Sequence, residues 1–188
     1  MKTRKIYLLA ALFVMVVTSA KSQTTDPEFG VKAGIVLPTL RGDLSGLSDK
    51  SNKMGLTAGV FGRIGNNIYF QPEINFIAFK STFSYQGAAY EAKFRQVNVP
   101  LMVGYKFINT DDLNLRVSVG PDLFYGFNKP AAPAGTAFKK FSAGGVLNAG
   151  VDIGGISFDA RYSLGLTSVN KELDQKLGLL SVSVGFKF

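Results

Sequence analysis

The chain contains no cysteine, no histidine and no tryptophan. Without histidine or cysteine it cannot build a Ser–His or Cys–His nucleophile pair, nor a His- or Cys-ligated zinc site. Lack of cysteine also excludes disulfides and a lipid-modified leader cysteine. Asp43 with Asp49, and Asp111 with Asp112, lack the spacing of an EF-hand and read as solvated turn acids. No cofactor is implied, and an enzyme is disfavoured. Long apolar runs stop at Val17, yet mean hydropathy is positive. Hydrophobicity must then be spread thinly, on alternate residues.

The formal charge of +8 is less basic than it looks. Residues 1–22 read as a secretory signal. Lys2, Arg4 and Lys5 form a basic start, and Ile6 to Val17 is shorter than the ~20 residues of a spanning helix. Ala20-Lys21-Ser22 then supplies small residues at both positions a signal peptidase reads. Cleavage after Ser22 leaves residues 23–188 as one domain; cleavage after Ala20 is the alternative. Loss of Lys2, Arg4, Lys5 and Lys21, with no acid, lowers the charge by four to +4. That value gives no support to nucleic-acid binding.

What is abundant is glycine (21) and phenylalanine (16), the makings of turns and aromatic-ended strands. From Phe29 onward the sequence parses into about eight segments of period-two alternation. They are Phe29–Leu37, Gly55–Ile64, Ile68 past Phe79, Tyr90–Phe107, Leu113–Phe127, Phe141–Ile153, Ile156–Thr167 and Leu177–Phe188. In the last, Leu180, Val182, Val184, Phe186 and Phe188 share one face, with Ser181, Ser183, Gly185 and Lys187 on the other. A strand of about ten residues, aromatic at its end, suits a tilted crossing of a bilayer. Val184, Phe186 and Phe188 are the expected C-terminal assembly signal, read by a barrel-assembly machinery. Connections alternate long and short: Pro38–Met54, Lys80–Ala89, Asn128–Lys140 and Ser168–Lys176 against Gly65-Asn66-Asn67, Ile108–Asp112 and Gly154-Gly155. Short periplasmic turns and longer outer loops are the habit of outer-membrane barrels. Pro72, Pro100 and Pro121 fall inside strands, where a missing N–H calls for a bulge or a strand end outside the bilayer.

The resulting expectation is an all-β, eight-stranded antiparallel transmembrane barrel, an up-and-down meander, in the outer membrane. A barrel of that size is filled by side chains. The second face of the strands supplies them: Arg63, Gln71, Glu73, Lys106, Arg116, Asp122, Asp152, Asp159, Arg161 and Lys187. Buried charges of both signs must pair. Glu73, Arg116, Asp122, Asp152, Asp159, Arg161 and Lys187 are therefore read as a lumen charge network, with Glu73 or Arg116 expected to join Asp159 and Arg161. A plugged lumen is favoured over a narrow pore or a proton-linked gate. A soluble lipocalin-like barrel, apolar inside, remains the alternative of a different class. Tyr85, Tyr90, Tyr105, Tyr125 and Tyr162 are candidates for interfacial girdles. Arg41, Lys50, Lys53, Lys80, Lys93, Lys129, Lys139, Lys140, Lys171 and Lys176 gather toward the outer rim, at the level of lipopolysaccharide phosphates.

Five stretches in order carry a resemblance: Phe29-Gly-Val-Lys-Ala-Gly-Ile, Phe70-Gln-Pro-Glu-Ile, Val97-Asn-Val-Pro-Leu, Val119-Gly-Pro-Asp-Leu and Asp159-Ala-Arg-Tyr-Ser-Leu-Gly-Leu. Together they resemble the PorT-like outer-membrane β-barrel proteins of Bacteroidetes, over essentially the whole chain after the signal. The resemblance implies an eight-stranded outer-membrane barrel without catalytic motif; the family's named member is tied to protein secretion and surface export, while most relatives have no assigned activity. The expected partners are outer-membrane lipid and the barrel-assembly machinery, with lipopolysaccharide read from the rim cations against ordinary loop solubility as the alternative; the resemblance adds proteins of an export complex.

Overall fold

In the computed structural model of this chain, the residues described are 27–41, 51–52, 54–85, 88–127, 140–167 and 176–188. The expected signal, residues 1–22, and the tips of the long loops lie outside them. The strands are β1 (Glu28–Arg41), β2 (Ser51–Asn52), β3 (Gly55–Gly65), β4 (Ile68–Tyr85), β5 (Ala88–Asn109), β6 (Leu113–Gly126), β7 (Phe141–Ile153), β8 (Ile156–Gly165) and β9 (Lys176–Lys187). Eight of them form a closed antiparallel meander, β1-β3-β4-β5-β6-β7-β8-β9 and back to β1. The two-residue β2 extends the sheet beside β4, where Ser51 faces Thr82. Closure is by β1 on β9, from Gly30↔Lys187 to Arg41↔Lys176. Phe29 and Phe188 finish it by exchanging backbone hydrogen bonds of 3.3 and 2.9 Å.

Alternation decides which way each face turns. Val31, Ile35, Val60, Ile74, Val103, Val119, Leu147, Val182 and Val184 all lie exposed on the outside. Their chain neighbours of opposite phase, among them Arg63, Glu73, Asn98, Arg116 and Asp152, are buried inside. A lipocalin-like barrel requires the reverse, so that alternative is set aside. Exposed aromatics gather at both ends of the wall. Phe29, Tyr105, Phe107, Phe186 and Phe188 ring the turn end, and Phe76, Tyr125, Phe127 and Phe141 the loop end. Tyr105 and Tyr125 thus sit at girdle positions, whereas Tyr162 is half-buried; the side chains of Tyr85 and Tyr90 lie outside the described residues.

Turns follow the glycines. Gly154 has φ +54°, a left-handed conformation that the two-residue Gly154-Gly155 hairpin needs. The connection expected at Lys80–Ala89 is shorter than expected. β4 and β5 stay paired as far as Tyr85↔Ala88. Thr82, Phe83, Tyr85 and Tyr90 favour extended chain, which carries the pairing that far. Likewise β1 continues past Pro38 to Arg41, pairing only with β9 there, because its ladder with β3 has already ended at Val36↔Gly55.

The internal prolines break no strand. Pairing skips one short stretch beside each: Gly62 and Arg63 opposite Pro72 and Gln71, Glu73 and Ile74 opposite Pro100 and Val99, Leu101 and Met102 opposite Pro121 and Gly120. Register is the same on either side of every gap, so the proline costs local hydrogen bonds and no side chain changes face. The one register shift described lies elsewhere, between Lys106 and Ile108. There Phe107 is the extra residue, and Phe107 and Ile108 are both exposed.

Candidate functional site: the charged lumen

Position in the ring dictates what each inward side chain can reach. Counting round the eight strands, β4 stands opposite β8, and β3 opposite β7. Both opposed pairs are joined by ions. Arg161 Nη2 on β8 meets Glu73 Oε1 on β4 at 2.7 Å, and Arg63 Nη1 on β3 meets Asp152 Oδ2 on β7 at 2.6 Å. These contacts run across the full width of the barrel.

Each carboxylate then gathers further donors. Glu73 Oε1 also accepts from Gln71 Nε2 at 2.7 Å, and Oε2 takes Lys32 Nζ at 2.5 Å and Asn75 Nδ2 at 3.0 Å. Asp152 takes Arg116 through Nε (3.2 Å) and Nη2 (3.1 Å), and Lys187 Nζ at 3.4 Å. Asp159 receives Arg116 Nη1 at 2.8 Å and Asn148 Nδ2 at 2.8 Å. Arg116 also donates to Ser157 Oγ at 2.7 Å. Glu28, at the turn end, binds Arg63 Nη1 at 2.9 Å and Lys187 Nζ at 3.5 Å. Gln71 joins the two halves: its Oε1 accepts from Arg63 Nε at 2.8 Å while its amide donates to Glu73.

A glycine makes one of these contacts feasible. Arg116, Gly150 and Asp159 stand in one row across β6, β7 and β8. A Cβ on Gly150 would lie 2.4 Å from Arg116 Cζ. The bare backbone there is the seat on which the guanidinium crosses β7 to reach Asp159. Arg63 is held on its flanks by the rings of Phe61 and Tyr69, 5.6 and 5.3 Å from their centroids.

The seven expected network residues are thus all placed toward the lumen, and six share its ion pairs. Asp122 does not. It is fully buried and accepts from Asn98 Nδ2, but no cation lies within 4 Å of it among the described residues, and its Oδ2 has no hydrogen-bond partner among them. Sequence reasoning missed Lys32, a direct partner of Glu73. The signal was present in the phase, since Lys32 alternates with Val31 and Ala33, but glycines at 30 and 34 left it looking isolated. It also missed the cap. Val36, Ile77, Phe79, Phe124 and Leu179 form a buried apolar cluster at the loop end, with Phe94 stacked on Phe79 at 4.8 Å. Between the cap and the charges lies a cavity of about 10 Å³, lined by Lys32, Asn75, Asn98, Arg161 and Ser163 among others, with room for about one water.

Chemically, this arrangement pairs buried charges and fills space. Among the described residues no group of histidine, cysteine or acidic side chains could hold a metal ion. Apolar outside, ionic inside, girdled at both ends and closed on itself, the fold is that of an eight-stranded membrane barrel. Sequence comparison agrees: residues 21–171 match the outer membrane protein beta-barrel domain, and the chain belongs to that family. Among solved structures it is similar to Ail, the attachment invasion locus protein of Yersinia pestis, crystallised with the heparin analogue sucrose octasulfate. That match has 15% identity and TM-score 0.51, covering 87% of this chain and 99% of the other. It is also similar to Neisserial surface protein A, with 17% identity, TM-score 0.55, and 85% and 97% covered. No curated protein matches.

Proposed function

We propose that this protein is a non-enzymatic, sealed outer-membrane barrel that serves as a structural platform in protein export or surface assembly, acting through its loops and turns. The observation that carries the sealed reading is the pair of ionic contacts spanning the lumen, Glu73–Arg161 and Arg63–Asp152. A solute path would have to break both, leaving buried charges unpaired. The export role rests on the resemblance to PorT-like proteins and on analogy of fold. In this reading residues 1–22 direct export and are removed, Val184, Phe186 and Phe188 address the chain to the assembly machinery, and the turns face the periplasm. In the same reading Lys80 and Lys140, which are exposed at the loop end, contact lipopolysaccharide phosphates. Ail, a barrel of the same fold, has been crystallised with a polyanion.

The test compares secreted and surface proteins of a deletion strain with its parent. Loss of a defined cargo set from the medium, with retention in the periplasm, is expected. An unchanged secretome would sink the export role. Purified protein in planar bilayers separately tests sealing: unit conductance would replace the platform with a narrow pore.

A further inference from the structure

The lumen charges do not balance evenly along the barrel. In the upper half Lys32 and Arg161 face Glu73 and Asp122, two against two. Toward the turn end Arg63, Arg116, Lys106 and Lys187 face Glu28, Asp152 and Asp159, four against three. The surplus falls on Lys106. Its backbone N–H donates to Asn67 O at 2.8 Å, which fixes it beside the Gly65–Ile68 turn at the mouth. Lys106 is only 5% exposed, and no acid lies within 4 Å of its ammonium among the described residues. The charges acting on it are Glu28, Arg63, Lys187 and Asp152. Both acids are already engaged, Glu28 by Arg63 and Lys187, Asp152 by Arg63, Arg116 and Lys187. Arg63 Nη2, also buried, has no hydrogen-bond partner among the described residues.

We propose that the turn-end mouth of the lumen is an oxyanion site, in which Lys106, Lys187 and the Nη2 edge of Arg63 receive one carboxylate or phosphate group. Water would satisfy the N–H groups and leave the surplus charge in place. An oxyanion does both, and a guanidinium edge with two ammonium groups matches its several oxygens better than a spherical halide. The site faces the turn side, so its occupant comes from that compartment: a phosphorylated small molecule, or the free carboxylate of a peptide or cell-wall component.

The experiment follows the backbone amides of the full chain, refolded in detergent micelles, during titration with inorganic phosphate, acetate or chloride at matched ionic strength. Saturable shifts around Lys106 and Asn67 with phosphate or acetate, exceeding those with chloride, are expected; whichever saturates first assigns the phosphate or carboxylate source. Lys106→Gln should weaken that affinity about tenfold or more, and Lys106→Arg should keep it. Lys187→Gln provides a second variant with the same expected loss should Lys106→Gln not fold. Absence of saturation, equal shifts with chloride, or unchanged affinity in both glutamine variants would overturn the assignment.

Discussion

Replacing Glu73 by glutamine removes one negative charge that serves two buried cations. Lys32 Nζ at 2.5 Å and Arg161 Nη2 at 2.7 Å would both face a neutral amide. Whichever way that amide turned, one of them would meet its NH2 group, donor against donor. Breaking a buried ion pair by removing one partner costs about 3–5 kcal/mol, and the double duty of Glu73 puts it at the upper end of that range. The comparison that isolates this effect is Asp122→Asn, a change of the same kind at an equally buried site with no cation within 4 Å among the described residues. Its expected effect is within about 1 kcal/mol. Both variants can be unfolded by urea from lipid vesicles and followed by the gel-mobility change on barrel opening. With a slope of about 1–3 kcal/mol per molar, Glu73→Gln should lower the midpoint by about 1 M or more while Asp122→Asn barely moves it. Changing Lys32, Glu73 and Arg161 together to methionine should recover most of the loss, since an apolar replacement leaves no charge unpaired. Equal midpoints for Glu73→Gln and the parent, or a larger fall for Asp122→Asn, would refute the reasoning.

Other consequences are as direct. Gly150→Ala should displace the Arg116 guanidinium and destabilise by about 1–3 kcal/mol, read from the same urea midpoint. Val182→Arg, on the exposed face midway along β9, should cost about 2–4 kcal/mol in a bilayer, whereas an arginine at the membrane interface costs about 1 or less; vesicle unfolding of Val182→Arg against Phe188→Arg separates the two. Deleting Phe188 should leave the barrel able to refold in detergent but slow its accumulation in the outer membrane of cells; normal accumulation would remove it from the assembly signal.

How much of this was legible beforehand varied with the kind of information. Parity along the strand sorts side chains into two faces, so alternation put Glu73, Arg116, Asp152 and Arg161 on one face, and the polar, small composition of that face pointed it inward. Hairpin ends were legible where glycine marks them, at Gly65 and Gly154. The partner of each charge was less so. Alternation gives a side, but the partner depends on which strands are opposed and how they are staggered, a property of the closed ring. Hence Asp122, indistinguishable in pattern from Asp152, stands apart from the ion pairs. The apolar cap was hidden for a related reason. Ile77 and Phe79 continue the phase of Gln71, Glu73 and Asn75, and nothing in the alternation says where along that phase the lumen turns dry. The prolines misled because a missing N–H was expected to call for a bulge or a strand end outside the bilayer, whereas here only the pairing beside it lapses.

The ionic contacts also constrain the order of events when the barrel enters a membrane. Arg63 and Glu73 come early in the chain, on β3 and β4, but their cross-lumen partners Asp152 and Arg161 come late, on β7 and β8. An N-terminal half that slid into lipid ahead of the rest would carry Arg63 without Asp152 and Glu73 without Arg161. Strand-by-strand entry therefore meets its steepest barrier in the middle of the sequence. The favourable route holds the half-built sheet where water or another protein can still solvate its inner face, until β9 comes to rest against β1.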